Sequence, residues 1–178
     1  MKRSLKTTLY TLSLVGLGTI ATLSLNVNAA SANSELGMHK GYAGAGVSGS
    51  VTNGGTGNDG LNFGGNVQGR VKLQGVPASI RGTLYFNGNN TAVVPTVTYD
   101  IPVAKGTNVY AGVGGAFVQN QGVNSPIGTR DSVVLNAGVE KEVAKGVVVY
   151  TDAKLGINAY QGSPASAVGL SGGVGFQF

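Results

Sequence analysis

The chain predicts an all-β fold, an eight-stranded antiparallel up-and-down transmembrane β-barrel, and three observations predict it. Apolar and polar residues alternate with a period of two from near residue 41 to residue 178. The strands this alternation implies number eight, an even count, and the connections between them alternate strictly between long and short. After the first 32 residues there is no run of 18 apolar residues, so the pattern contains no transmembrane helix.

Residues 1–32 read as a signal peptide. Lys2, Arg3 and Lys6 make a basic start, Leu9 to Leu25 is largely apolar, and small residues follow at Ala29, Ala30 and Ala32, where cleavage is expected. The alternative, an N-terminal membrane anchor, fits poorly because the segment is short, Thr-rich and followed by small residues rather than a charged stop. Residues 33–39 then form a short periplasmic segment ahead of a barrel over 40–178. From Asn33 onward nine Lys and Arg face seven Asp and Glu, so the exported chain is near neutral and has no basic run to track a phosphate backbone. Nucleic acid is excluded as a partner. Cysteine is absent, which removes disulfides and thiolate metal sites together.

In chain order, strands are predicted near 41–52, 61–73, 79–87, 91–102, 107–118, 131–143, 147–160 and 167–178. The second is the clearest, with Leu61, Phe63, Val67, Val71 and Leu73 on one face and Asn62, Asn66, Gln68, Arg70 and Lys72 on the other. The third sets Ile80, Leu84 and Phe86 against Ser79, Arg81, Thr83, Tyr85 and Asn87. Gln74 to Ala78, Ala104 to Gly106 and Ala144 to Gly146 are tight turns. Asn53 to Gly60, Asn87 to Asn90, Gln119 to Arg130 and Gln161 to Ser166 are mostly longer and rich in Gly, Asn, Ser and Pro. With both chain ends in the periplasm, every tight turn is periplasmic and every long loop external. Val103-Ala-Lys-Gly recurs as Val143-Ala-Lys-Gly, so Gly106 and Gly146 supply equivalent turn positions with φ > 0.

Alternation alone does not say which face points inward, since a soluble barrel with an apolar interior alternates in the same way. Three features favour lipid outside. Phe63, Phe86, Phe117, Tyr99, Phe176 and Phe178 lie on the apolar face near strand ends, three at each rim, as aromatic girdles do. The polar face is Gly, Ser, Asn and Thr with few charges, which suits a crowded lumen better than a water-facing exterior. The strands also run to Phe178 with no polar tail.

Eight charges fall on the polar face: Arg70, Lys72, Arg81, Asp100, Glu140, Glu142, Asp152 and Lys154, four of each sign. Isolated charges in a narrow interior are costly, so equal numbers predict a lumen charge network that plugs and stiffens the barrel. The other reading is a lined path for a small solute. Tyr85, Tyr110, Tyr150 and Tyr160 share this face, where their rings are expected to cover Gly112, Gly114, Gly156, Gly173 or Gly175.

Tyr99-Asp100-Ile101-Pro102 ahead of a tight turn, the Tyr110-Ala-Gly-Val-Gly-Gly strand and the terminal Gly175-Phe-Gln-Phe178 together resemble a small eight-stranded outer-membrane barrel of the opacity-antigen and OmpA transmembrane-domain type. The likeness covers nearly all of residues 40–178. It implies a bacterial outer-membrane location, outer-membrane lipid as surroundings, and an assembly signal at Val174, Phe176 and Phe178 read by the barrel-assembly machinery. The external loops are short for an adhesin of the opacity kind, and no peptidoglycan-binding domain follows Phe178.

An enzyme is not expected. The only histidine, His39, sits at the periplasmic entry of the first strand, away from the external loops where an acyl-transfer site would need it. No metal site or cofactor is expected either: Asn58-Asp59 is common turn composition before it is a calcium site, and the glycine runs at 44–49 and 112–115 lie inside strands with no following helix. The expected function is a monomeric, non-enzymatic outer-membrane protein with a structural or surface-interaction role. The alternative is a narrow passive channel for ions or very small solutes.

Overall fold

The computed structural model describes residues 36–52 and 62–178. Residues 1–35, which include the expected signal peptide, and residues 53–61, including Asn58-Asp59, lie outside the described residues. Among the described residues there are eight strands: β1 Tyr42–Ser50, β2 Phe63–Lys72, β3 Ala78–Phe86, β4 Thr91–Ala104, β5 Thr107–Val118, β6 Ser132–Ala144, β7 Val147–Ile157 and β8 Ala167–Gln177. Each pairs antiparallel with its neighbours in sequence, and β1 pairs β8 from Tyr42–Gln177 to Ser50–Gly169, which closes the barrel. Closure removes both sheet edges, so every strand has a backbone partner on each side without water.

The tight turns gather at one end of the barrel, here the turn end, and the long connections at the other, the loop end. Gly106 (φ 64°) and Gly146 (φ 77°) occupy the positive-φ positions of two equivalent turns. Each is preceded by a register shift, between Pro102 and Ala104 and between Glu142 and Ala144, so the forty-residue repeat is one hairpin shape used twice. β7 stops at Ile157, earlier than its alternation predicts, because Asn158 turns the chain with φ 52°, a conformation asparagine tolerates better than most residues. Tyr160 therefore sits in the loop end, where its hydroxyl donates to the Thr52 carbonyl at 2.7 Å.

The two faces are inverted relative to a water-soluble barrel. Along β3, Ser79, Arg81, Thr83 and Tyr85 are buried inside, while Ile80, Gly82, Leu84 and Phe86 are exposed outside. Val47, Val67, Val71, Val93, Val97, Val113, Val133, Leu135 and Val174 continue that exposed apolar wall around the barrel. Phe63, Phe86 and Phe117 stand on it at the loop end, and Tyr99, Phe176 and Phe178 at the turn end, with Phe63 70%, Phe176 68% and Phe178 72% exposed. An apolar exterior of this extent is tolerable only against hydrocarbon, so the barrel is a transmembrane one.

A cation at mid-height on this wall carries the bilayer penalty. Val113→Arg is expected to destabilise the folded protein in lipid vesicles by about 2–4 kcal/mol, read from reversible urea unfolding. A neutral result would mean that the wall does not face hydrocarbon.

Candidate functional site

The lumen is where the unusual chemistry lies. Cross-strand register sets Arg70 of β2 directly opposite Arg81 of β3, a like-charge pair that would repel if left alone. Two carboxylates answer it. Arg70 reaches Asp100 Oδ2 through Nη2 at 2.8 Å and Glu140 Oε1 through Nη1 at 3.1 Å. Arg81 reaches Asp100 Oδ1 through Nη2 at 3.0 Å and Glu140 Oε2 through Nη1 at 2.6 Å. Each guanidinium thus bridges both acids, and each acid both guanidiniums, in a closed ring held by β2, β3, β4 and β6.

The remaining donors and acceptors of the ring are also occupied. Arg70 Nε donates to Ser79 Oγ and Arg81 Nε to Thr98 Oγ1; both hydroxyls in turn donate to Asp100. Asn108 of β5 donates to Glu140 Oε1 at 2.9 Å. The Arg81 guanidinium lies 3.5 Å from the centre of the Tyr110 ring. All four ionic side chains are at most 2% exposed, so the planar, five-donor geometry of arginine is what lets a buried ring be fully satisfied.

Nearer mid-height, Asp152 Oδ1 accepts from Lys154 Nζ at 2.7 Å and Ser171 Oγ at 2.6 Å, and Asp152 Oδ2 accepts from Tyr110 at 3.3 Å. Tyr42 and Tyr150 stack with ring centres 5.8 Å apart, and Tyr150 donates to Asn66. Tyr150 covers Gly173, its direct partner across β7 and β8, as anticipated. Tyr110 covers Gly138 of β6 instead, and Gly175 is covered by Tyr42, a lumen tyrosine hidden from sequence reasoning in the glycine-rich β1.

Both mouths are closed by elements the alternation does not encode. At the loop end, Ser125 to Thr129 of the β5–β6 connection turn inward, and Ile127, fully buried, packs among Tyr85, Ala92, Val94, Ala116, Val118 and Val134. Ser125 Oγ accepts from the Ile127 amide and donates to the Gly128 carbonyl, fixing that turn. At the turn end, Met38 packs on Tyr42, Val148 and Tyr150, its amide donates to Asn108 Oδ1 at 3.2 Å, and Gly37 donates to the Ala104 carbonyl.

Six of the eight charges predicted for the lumen network meet inside: Arg70, Arg81, Asp100, Glu140, Asp152 and Lys154. Lys72 and Glu142 do not join them. Both occupy inward positions of their strands, but beyond the ring and at the turn-end mouth, where each is partly exposed. Glu142 accepts from the Gly146 amide and from Gln177 there, and Lys72 has no ionic partner among the described residues. His39 is exposed at the same end, and no cluster suited to a metal occurs among the described residues.

No family model and no curated protein matches the chain. Solved structures do. The attachment invasion locus protein Ail of Yersinia pestis is similar with a TM-score of 0.53 at 13% identity, over 79% of this chain and 100% of that one. Neisserial surface protein A is similar at 0.50 and 15% identity, over 78% of this chain and 96% of that one. A designed transmembrane β-barrel is similar at 0.50 and 10% identity, over 79% and 98%. At these identities the likeness speaks for the fold, a small eight-stranded transmembrane barrel, as the terminal and mid-chain motifs led one to expect.

Breaking the ring and removing a rim charge should differ sharply. Arg81→Met leaves Asp100 and Glu140 with one guanidinium between them and is expected to cost on the order of 3–5 kcal/mol in vesicle unfolding. Lys72→Met, outside the ring, should stay within about 0.5 kcal/mol of the unsubstituted protein.

Proposed function

We propose that this chain is a non-enzymatic integral protein of a bacterial outer membrane. The barrel is a rigid, sealed scaffold, and the loop end is the surface through which it acts, in a structural or surface-interaction role. The observation that carries the reading is the occupied lumen, filled by the ion ring, the Asp152–Lys154 pair and the packed tyrosines, and capped at both mouths by Met38 and Ile127. A passive channel needs a water file through the two caps and a ring whose polar atoms are all engaged. Opening one would strand buried charges, which opposes the channel alternative.

The tight turns are assigned to the periplasm and the long loops to the outside, following the length rule for such barrels. On that assignment the external face presents Asn89, Gln121, Gly122, Val123, Gln161 and Gly162, all exposed, over a frame of asparagine bonds. Asn90 donates to the carbonyls of Asn120 and Val123, and Asn87 to that of Asn124, so two loops are tied into one platform. A fixed platform of uncharged, hydrogen-bonding residues, with Arg130 and Asp131 beside it, supports recognition by shape and polar contacts. The protein is read as a monomer in outer-membrane lipid, delivered to the barrel-assembly machinery through Val174, Phe176 and Phe178.

Two measurements check this reading. In planar bilayers the refolded protein should show no steady porin-like conductance, and Ile127→Gly alone should not create one, because the ion ring remains. A stable wild-type conductance whose ion preference changes on Asp152→Asn would establish the channel instead. An epitope inserted after Gln121 or Gly162 should be labelled on intact cells, and one at Lys105-Gly106 or Lys145-Gly146 only after the envelope is opened; labelling of either tight turn on intact cells would reverse the orientation.

A further inference from the structure

The turn end carries a charge pattern that neither the sealed lumen nor the loop platform uses. Among the described residues it presents Lys40, Lys72, Lys105, Lys141 and Lys145, with His39, against Glu142 as the one acidic side chain. The described part of the loop end has Arg130 beside Asp131. None of the five lysines forms an ion pair among the described residues, and the Glu142 carboxylate is already engaged by the Gly146 amide and Gln177. The excess positive charge is therefore available to a partner.

Two features say which partner. Lys40, Lys105, Lys145 and His39 border one open cleft, whose wall also includes Glu142 and Gln177. Gln177 and Glu142 are bonded to each other from inward positions, so this cleft is the turn-end mouth of the barrel, while Phe176 and Phe178, which flank Gln177, stand on the outer wall and mark the level of the headgroup layer around that mouth. Lys141 lies on the lipid-facing wall itself, in register with Val149 of β7, and is exposed. A lysine there satisfies its ammonium only by reaching along the wall to the phosphate layer. Positive charge therefore gathers at that layer, from Lys141 on the wall and from the lysines around the mouth.

We propose that the turn end is a binding surface for anionic phospholipid headgroups of the leaflet it faces, with Lys141 holding a headgroup phosphate from the outer wall and Lys40, Lys105 and Lys145, around the mouth, adding the positive potential that draws such lipids to the rim. This rests on the reading of the chain as a membrane barrel. It adds a lipid preference to it: the turn-end leaflet around the protein is enriched in negative lipid, and the barrel's vertical position is fixed by charge as well as by aromatics.

The test compares the full protein with a K40Q/K105Q/K141Q/K145Q variant, each refolded into phosphatidylcholine vesicles containing a trace of spin-labelled phosphatidylglycerol or spin-labelled phosphatidylcholine. Protease protection of the refolded band reports insertion first, and its failure would count against the barrel reading itself. With insertion established, the motionally restricted fraction should favour phosphatidylglycerol severalfold for the unsubstituted protein. It should fall to parity in the variant and in about 1 M salt, where the Debye length is about 3 Å. Equal association of the two lipids with the unsubstituted, inserted protein would overturn the proposal, as would a preference that survives in the variant.

Discussion

Four charged side chains inside a barrel this narrow must satisfy one another, because little else in the lumen can. The Arg70–Asp100–Arg81–Glu140 ring meets that constraint, and much of the interior follows from it. The ring needs four strands at one height, so it fixes the register of β2, β3 and β4 and ties β6 to them across the lumen. It needs Ser79, Thr98 and Asn108 as accessory donors and acceptors. It also needs water kept away from its turn-end side, which Met38 provides while its carbonyl and that of Lys40 take up remaining Arg70 donors. The net charge inside the ring is zero, and so is that of the Asp152–Lys154 pair above it.

The same inside-out chemistry accounts for the exterior. Since the lumen takes the polar residues, the outer wall is left to Val, Leu, Ile and Phe, and hydrocarbon makes that wall an asset rather than a liability. Aromatics mark the two ends of the wall. Lysines gather past one end of it, where the strands leave the hydrocarbon, and asparagines past the other.

The strands were legible because a period of two is imposed on every residue of a barrel wall, and because Gly106 and Gly146 sit where only a turn wants them. The ring members were legible as inward-facing charges of balanced sign, although their pairing depends on register, which the pattern does not specify. Lys72 and Glu142 read as lumen residues because alternation persists for a residue or two after the strand has left the lumen. Ile127 and Met38 were invisible for a different reason. Each is an isolated apolar residue in a mostly polar segment, no different in local pattern from the exposed Val123 or Leu36 nearby, and its burial comes from contacts distant in sequence. Local pattern carries no trace of a loop folding back into a mouth.

If the ring is dry and closed, the exchange of the arginine Nε–H protons reads this at the atoms concerned. In the protein refolded into micelles, nitrogen-15 spectra should show the Arg70 and Arg81 Nε–H signals, donated to Ser79 and Thr98, persisting after transfer to deuterated solvent, while that of the exposed Arg130 is lost at once. Loss of the Arg70 and Arg81 signals as fast as that of Arg130, in a protein whose strand amides remain protected, would mean that water reaches the ring and that the lumen is not sealed.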